Sequence, residues 1–297
     1  MNDEKNCNIC KECDSLRTIP TTIQILTNLN CNLDCSYCYE RKNNKVNDLE
    51  NIKTYLYCKF KVSNNQQVVV ELIGGESFLY PELCDNICSY VLELGKKFNR
   101  CVIISLCTNG TTLENQKVRD ILTKYKNNIY LGVSIDGIEE HHNICRVYKD
   151  GKGSYQDAVK WIPWLIETLG QKRIGCKSTF TYETFIKYYS KSMIHTVNLG
   201  FTEVAGNIVF EDILPMNYCF AIYGEMVKFI DYIVDNDLEH KIHVFQFGDY
   251  DRIRNYEIIN NDDIKEAWCG SCNHMMCLGF DGLVYGCNRF CTMNIPG

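Results

Sequence analysis

Cys31, Cys35 and Cys38 stand as C-x3-C-x2-C in the run TNLNCNLDCSYCYE, directly after an apolar segment. Three thiolates this close can hold an iron–sulfur cluster. A cubic four-iron cluster has four corners, so three protein ligands leave one iron open to a small molecule. The plain alternative is a zinc knuckle, which normally takes four ligands. The next cysteine, Cys58, lies beyond a helix start, and the first histidine is His141.

A second cysteine-rich segment holds Cys269, Cys272, Cys277, Cys287 and Cys291. Within it, GFDGLVYGC has the form of a hairpin turning at Asp281-Gly282. Four of these five thiols suffice for one further cluster, with zinc again the alternative. Cys7, Cys10 and Cys13 form C-x2-C-x2-C in polar sequence and are expected to be an arm outside any metal site. The other eight cysteines, Cys58, Cys84, Cys88, Cys101, Cys107, Cys145, Cys176 and Cys219, are expected to act as small core hydrophobes.

Short apolar runs alternate with longer segments of helical character. The strands are expected at Thr22–Thr27, Val68–Ile73, Cys101–Cys107, Ile129–Ile135, Ile174–Phe180 and Glu203–Phe210. Several are almost continuously apolar, as parallel strands buried on both faces must be. Helices are expected at Asp48–Phe60, Pro81–Phe98, Glu114–Tyr125, Ser154–Leu169, Tyr182–Leu199 and Met216–Asp235. Pro81 suits a first helical turn. Ser154 with Asp157 has the form of a capping box, and Pro163 should kink its helix or move its start. Six strand–helix repeats specify an α/β fold, an open or partial βα barrel, with chemistry at the C-terminal strand ends. The cysteine loop follows the first strand and so lies at that end.

The chain has 297 residues, 45% hydrophobic and 23% charged, with a net charge of −6. That balance gives no global attraction to nucleic acid or anionic membrane. The N-terminus lacks a signal-peptide core and no apolar run is long enough to span a bilayer. A cytoplasmic protein is expected, and there 19 cysteines point to metal binding rather than disulfides.

CNLDCSYCYE resembles the signature loop of radical S-adenosylmethionine (SAM) enzymes. Gly74-Gly75-Glu76 resembles that family's GGE motif, and Thr108-Asn109-Gly110 its TNG turn. Ser134-Ile135-Asp136-Gly137 and the following Arg146 are also family-like. Ser77 stands where the family often has proline. The resemblance implies a partial (β/α)6 barrel in which Cys31, Cys35 and Cys38 ligate a [4Fe–4S] cluster that binds SAM. It places the backbone around Tyr37 at the adenine, and Gly74, Gly75 and Glu76 at the methionyl ammonium. Ser134 and Arg146 are assigned to the ribose and the methionyl carboxylate. Asp136 is expected to shape its turn. Candidates for a catalytic base, by residue type alone, are Asp136, His141, His142 and Glu203.

The C-terminal cysteines resemble the start of a SPASM domain, an auxiliary iron–sulfur module of radical enzymes that modify peptides and proteins. The full module continues with more cysteines, so a single-cluster "twitch" version or a clipped sequence is expected. The implied organisation is an arm over 1–20, the barrel over 21–210, a connector over 211–267 and the cluster module over 268–297. About 20 residues precede the first strand, so no separate leader-binding domain is expected there. The implied function is maturation of a ribosomally made peptide through thioether or carbon–carbon cross-links. The expected partners are a peptide or protein substrate and a reductant such as flavodoxin or ferredoxin. The alternatives are formylglycine-forming sulfatase maturation, small-molecule dehydrogenation, and a non-catalytic iron–sulfur or zinc protein. Nucleic-acid modification would need a basic stripe, which the sequence does not show.

Overall fold

Six apolar runs become parallel strands because each is too short for a helix and is followed by an amphipathic segment that can cross back over the sheet. The computed structural model describes residues 22–209, 215–247, 271 and 275–292. The chain divides into two compact units. The first comprises Met1–Cys31, Glu40–Leu106 and Ile258–Gly297, and the second Asn32–Tyr39 and Cys107–Glu257.

In the first unit, β1 (Thr22–Asn28), α1 (Leu49–Val62), β2 (Gln67–Gly74), α2 (Pro81–Lys97) and most of β3 (Cys101–Thr108) follow in sequence. β2 pairs in parallel with both β1 and β3. On the other side of β1 lies β8 (Met275–Leu278), also parallel, which turns antiparallel into β9 (Val284–Tyr285) and the short α9 (Asn288–Thr292). The expected hairpin is therefore present: Gly282 takes a left-handed φ of 76°, and Asp281 Oδ1 accepts from the Leu283 amide. β1 is buried along nearly its whole length, including Gln24. That side chain donates to Glu71 and accepts from the Asn288 amide, which ties α9 to the strand. Asp48 caps α1 by accepting from the Asn51 amide, and Pro81 begins α2 as expected.

In the second unit, β4 (Ile129–Val133), β5 (Ile174–Phe180), β6 (Glu203–Ile208) and β7 (His243–Val244) are parallel neighbours in that order. Their connections carry α3 (Gln116–Lys124), α4 (Glu139–Cys145), α5 (Tyr155–Val159), α6 (Ile162–Leu169), α7 (Tyr182–Asn198) and α8 (Cys219–Asp235). Phe180, Phe185, Tyr189 and Phe229 form one aromatic cluster beneath α7 and α8, with the Phe185 and Tyr189 rings stacked at 4.1 Å.

Several expectations are corrected. The single helix Ser154–Leu169 is two, because Pro163 falls in the first turn of α6 and the chain breaks before it. Ser154 makes no capping bond, since its hydroxyl is used elsewhere. α4 had no counterpart among the expected elements: at seven residues it is too short to show a helical period. Cys58, Cys84, Cys88, Cys145 and Cys176 are buried as expected, but Cys101 and Cys219 are exposed and Cys107 is half-buried. The two exposed thiols sit at the first residue of β3 and of α8, where neither element is yet covered. Cys7, Cys10, Cys13, Cys269 and Cys272 lie outside the described residues.

Candidate active site

Each cysteine-loop segment is fixed by backbone pairing within its own unit. In the first unit, Cys31 is buried just beyond β1. The GGE segment docks on the residues before it: the Gly75 amide donates to Asn28 O at 2.9 Å and the Glu76 amide to Asn30 O at 2.8 Å. A Cβ on Gly74 would collide with Asn28 O, and one on Gly75 with Asn30 O. The glycines are thus required by strand-end packing itself. Asn28 Nδ2 returns a bond to Glu76 O. The Glu76 carboxylate is buried and accepts from the Phe78 amide at 3.3 Å, capping a short 3-10 turn.

In the second unit, residues 32–38 are stitched to the segment that carries Arg146. The Asp34 amide donates to Val147 O, the Ser36 amide to Cys145 O, and Leu33 bridges Tyr148. Asn32 is clasped by the TNG turn: Asn109 Nδ2 donates to its Oδ1 and its own Nδ2 donates to Thr111, both at 2.8 Å. Gly110 takes a φ of 83°, which suits this turn. Cys35 is half-buried and Cys38 exposed, and the Cys38 amide donates to Cys35 O.

Asp136 organises this side. Its carboxylate is fully buried and accepts from Tyr37 Oη at 2.6 Å, Arg146 Nε at 2.9 Å and the Thr179 amide at 2.9 Å. The Arg146 guanidinium also lies over the Tyr37 ring, 5.4 Å from its centroid. Burial pushes the Tyr37 phenol well above its ordinary range, and Arg146 pulls the other way. The phenol is therefore a hydrogen-bond donor at neutral pH. Burial opposes the Arg146 charge, but Asp136 outweighs it and holds the guanidinium protonated.

Two buried histidines brace the same turn. The Asp136 amide donates to His142 Nδ1 at 3.3 Å, which places the proton on Nε2. Nε2 meets Ser154 Oγ at 3.0 Å, and Ser154 donates on to Arg146 O at 2.8 Å. Burial lowers the His142 pKa to about 3, so it is neutral. His141 contacts Asp136 O and Ser192 and is stacked between Phe180 and Tyr188. Both imidazoles are buried structural members, and as candidate bases they stand in the core. Glu203 is half-buried and accepts from His243 Nδ1 at 2.8 Å. Ser134 is half-buried, with its amide donating to Thr108 O.

Of the second cysteine set, Cys277, Cys287 and Cys291 are described and lie near one another in the first unit. Cys277 packs with Leu26, Leu29 and Cys291, and the Cys291 sulfur together with burial holds its thiol protonated. A cavity of about 460 Å³ opens beside Cys291, walled by Leu29, Arg41, Lys45 and Phe280. Among the described residues no three Cys, His, Asp or Glu side chains stand at single-ion spacing. The corners of a four-iron cube lie farther apart than the ligands of one ion, so what fits the triad to such a cube is its donors. These are three thiols, outside any disulfide, on loop segments held by backbone bonds, which suits an iron–sulfur cluster.

The chain is an α/β protein of parallel strands with a three-cysteine loop directly after the first of them. Residues 25–182, just over half the chain, match the Radical SAM superfamily. The chain belongs to that superfamily of enzymes, whose members use a [4Fe–4S] cluster and SAM. Over 138 residues it is 28% identical to the antilisterial bacteriocin subtilosin biosynthesis protein AlbA of Bacillus subtilis, covering 46% of this chain and 28% of that protein. Over 142 residues it is 35% identical to the serine-type anaerobic sulfatase-maturating enzyme of Bacteroides thetaiotaomicron, covering 44% and 33%. The aligned regions thus take in about a third of the length of these relatives. The fold matches native anSMEcpe with bound AdoMet at a TM-score of 0.72 and 20% identity, over 90% of this chain and 75% of that one. It matches Streptococcus suis SuiB bound to precursor peptide SuiA at 0.65 and 17%, over 95% and 63%. These likenesses bear out the expected α/β partial barrel.

The Tyr37–Asp136–Arg146 cluster as a bonded unit was not legible in the sequence, since its members come from separate motifs. The nearest signal was that all three fall inside or beside family-like motifs.

Proposed function

We propose that this chain is a radical SAM maturase that modifies a peptide or protein, forming thioether or carbon–carbon cross-links in a ribosomally made substrate. The observation that carries this reading is the three-thiol loop at the end of β1 in a chain of this superfamily. Cys31, Cys35 and Cys38 would hold the cluster. When bound, the cluster and SAM would supply the radical chemistry needed to break an unactivated C–H bond. The chain's own part is to bind and aim. Tyr37 and Arg146, both fixed by Asp136, set the loop around the second and third cysteines. Gly74, Gly75, Glu76, Ser134 and Arg146 are the proposed SAM contacts. Arg146 spends Nε on Asp136, so the amino groups of its fork are the part proposed to meet a carboxylate. Cys269, Cys272, Cys277, Cys287 and Cys291 are the pool for an auxiliary cluster. A flavodoxin or ferredoxin would supply the electron. No helix among the described residues is long and apolar enough to cross a membrane.

Formylglycine formation is the second reading, favoured by the 35% identity to a sulfatase-maturating enzyme. The test begins with anaerobic reconstitution and dithionite-driven 5′-deoxyadenosine formation. Cys35→Ala is expected to lose the absorbance of the cluster on Cys31, Cys35 and Cys38, and the product with it. Product formation at the parent rate in that variant would overturn the assignment. Candidate peptides encoded beside the gene then separate the two readings: a cross-link resists aldehyde reagents, whereas formylglycine reacts with them.

A further inference from the structure

Lys177 of β5 donates to the Cys107 sulfur of β3 at 3.0 Å. Both side chains leave the same face of the strands, over Gly132 of β4. A Cβ at Gly132 would lie 3.1 Å from Lys177 Cε and 3.3 Å from Cys107 Sγ. The glycine thus leaves the floor clear for the lysine stem to cross. Both residues are half-buried, within reach of a small uncharged molecule. The neighbouring thiol differs in each respect. Cys176 is fully buried, faces Ile135 O and Ser178, and burial pushes its pKa up to about 12. Among the described residues no amine donates to it, and it remains an inert thiol.

We propose that Cys107 and Lys177 form a site of oxidative cross-linking, joined through one oxygen atom as an N–O–S bridge when the protein meets dioxygen. Lys177 first gives one ammonium proton to solvent. The S–H bond and one amine N–H bond then break, and S–O and O–N bonds form. One oxygen of O2 enters the bridge and the other leaves as water. Four electrons pass to dioxygen, two from sulfur and two from nitrogen. One oxygen bonded to both atoms spans about the separation already present, so no strand has to move. A direct S–N bond would instead draw the atoms well inside their present contact. The bridge would pin the end of β3 to β5 across β4. Like other early steps of thiol oxidation it is reversible, and four electrons from a thiol reductant restore both side chains and release water.

The test uses the full chain, purified anaerobically, then held in air-equilibrated buffer, alkylated, digested with trypsin and mapped by mass spectrometry. The peptides bearing Cys107 and Lys177 should appear as one linked species. Its mass should equal their sum plus one oxygen and minus two hydrogens, with no cleavage after Lys177. Dithiothreitol before alkylation should abolish it. Lys177→Arg should remove the linked species and leave Cys107 alkylated or as a sulfinic acid. The proposal fails if air-exposed parent shows Cys107 only alkylated, disulfide-bonded or over-oxidised while trypsin cleaves fully after Lys177. A linked species lacking the added oxygen would also overturn it.

Discussion

The hydroxyl of Tyr37, the residue directly before Cys38, donates a 2.6 Å hydrogen bond to the buried carboxylate of Asp136, 99 positions along the chain. Asp136 binds Arg146 at the same time. A residue expected to shape its turn, and a candidate base by type alone, is therefore the common partner of the cysteine loop and of the proposed carboxylate-binding arginine. The cost of burying Asp136 is offset by three donors, and that of burying Arg146 by the carboxylate and the Tyr37 ring.

Asp136→Asn should expose this dependence. The neutral amide leaves the buried Arg146 cation without its counter-charge, a loss of about 3–5 kcal/mol for a broken buried pair. Urea denaturation should show a lower midpoint with little change in slope. Adding Arg146→Met removes the stranded charge and should recover a substantial part of that loss. A single variant as stable as the parent would show that the pair contributes nothing.

Gly75→Ala and Gly151→Ala separate steric demand from backbone strain. A Cβ at Gly75 would drive into Asn30 O, whereas at Gly151 it would meet nothing within 4 Å among the described residues, although φ there is 85°. The first substitution is expected to cost at least about 4 kcal/mol, or to prevent folding. The second should cost only about 1–2 kcal/mol, from the left-handed conformation. Far-ultraviolet circular dichroism during thermal unfolding would rank them, and equal midpoints would contradict the close approach of the GGE segment to β1.

Stability should fall on acidification through His142. Its folded pKa is lowered to about 3 by burial, from an ordinary value of 6.5. Between these values the unfolded chain binds a proton that the folded chain refuses, so the contribution is full above about pH 6.5 and is lost as pH falls towards 3. The slope from one such group is about 1.4 kcal/mol per pH unit. His142→Gln retains a side-chain donor and acceptor but cannot titrate. Its stability relative to the parent should therefore improve as urea titrations move from pH 7 to pH 5. A constant difference between the two proteins would refute the assignment.

Sequence by itself determined the strand–helix alternation, because parallel strands buried on both faces must be nearly continuous apolar runs. Ile174–Phe180 came out at its expected bounds, and β1, β2 and β3 within a residue or so. It also determined the cysteine loop, since ligands spaced by two and three residues are local chemistry. Where local pattern was silent or ambiguous, tertiary structure decided. Ser154 had the form of a cap, yet its hydroxyl stands between His142 and Arg146, because buried polar groups there need partners more than a short helix needs a cap. Gly74 and Gly75 matched a cofactor motif, but the backbone of Asn28 and Asn30 is what would clash with a side chain there. Cys107 had the surroundings of a core hydrophobe, and only the folded strands bring the Lys177 amine to its sulfur. Each of these roles depends on residues far apart in sequence whose distances are fixed only when the sheet is assembled.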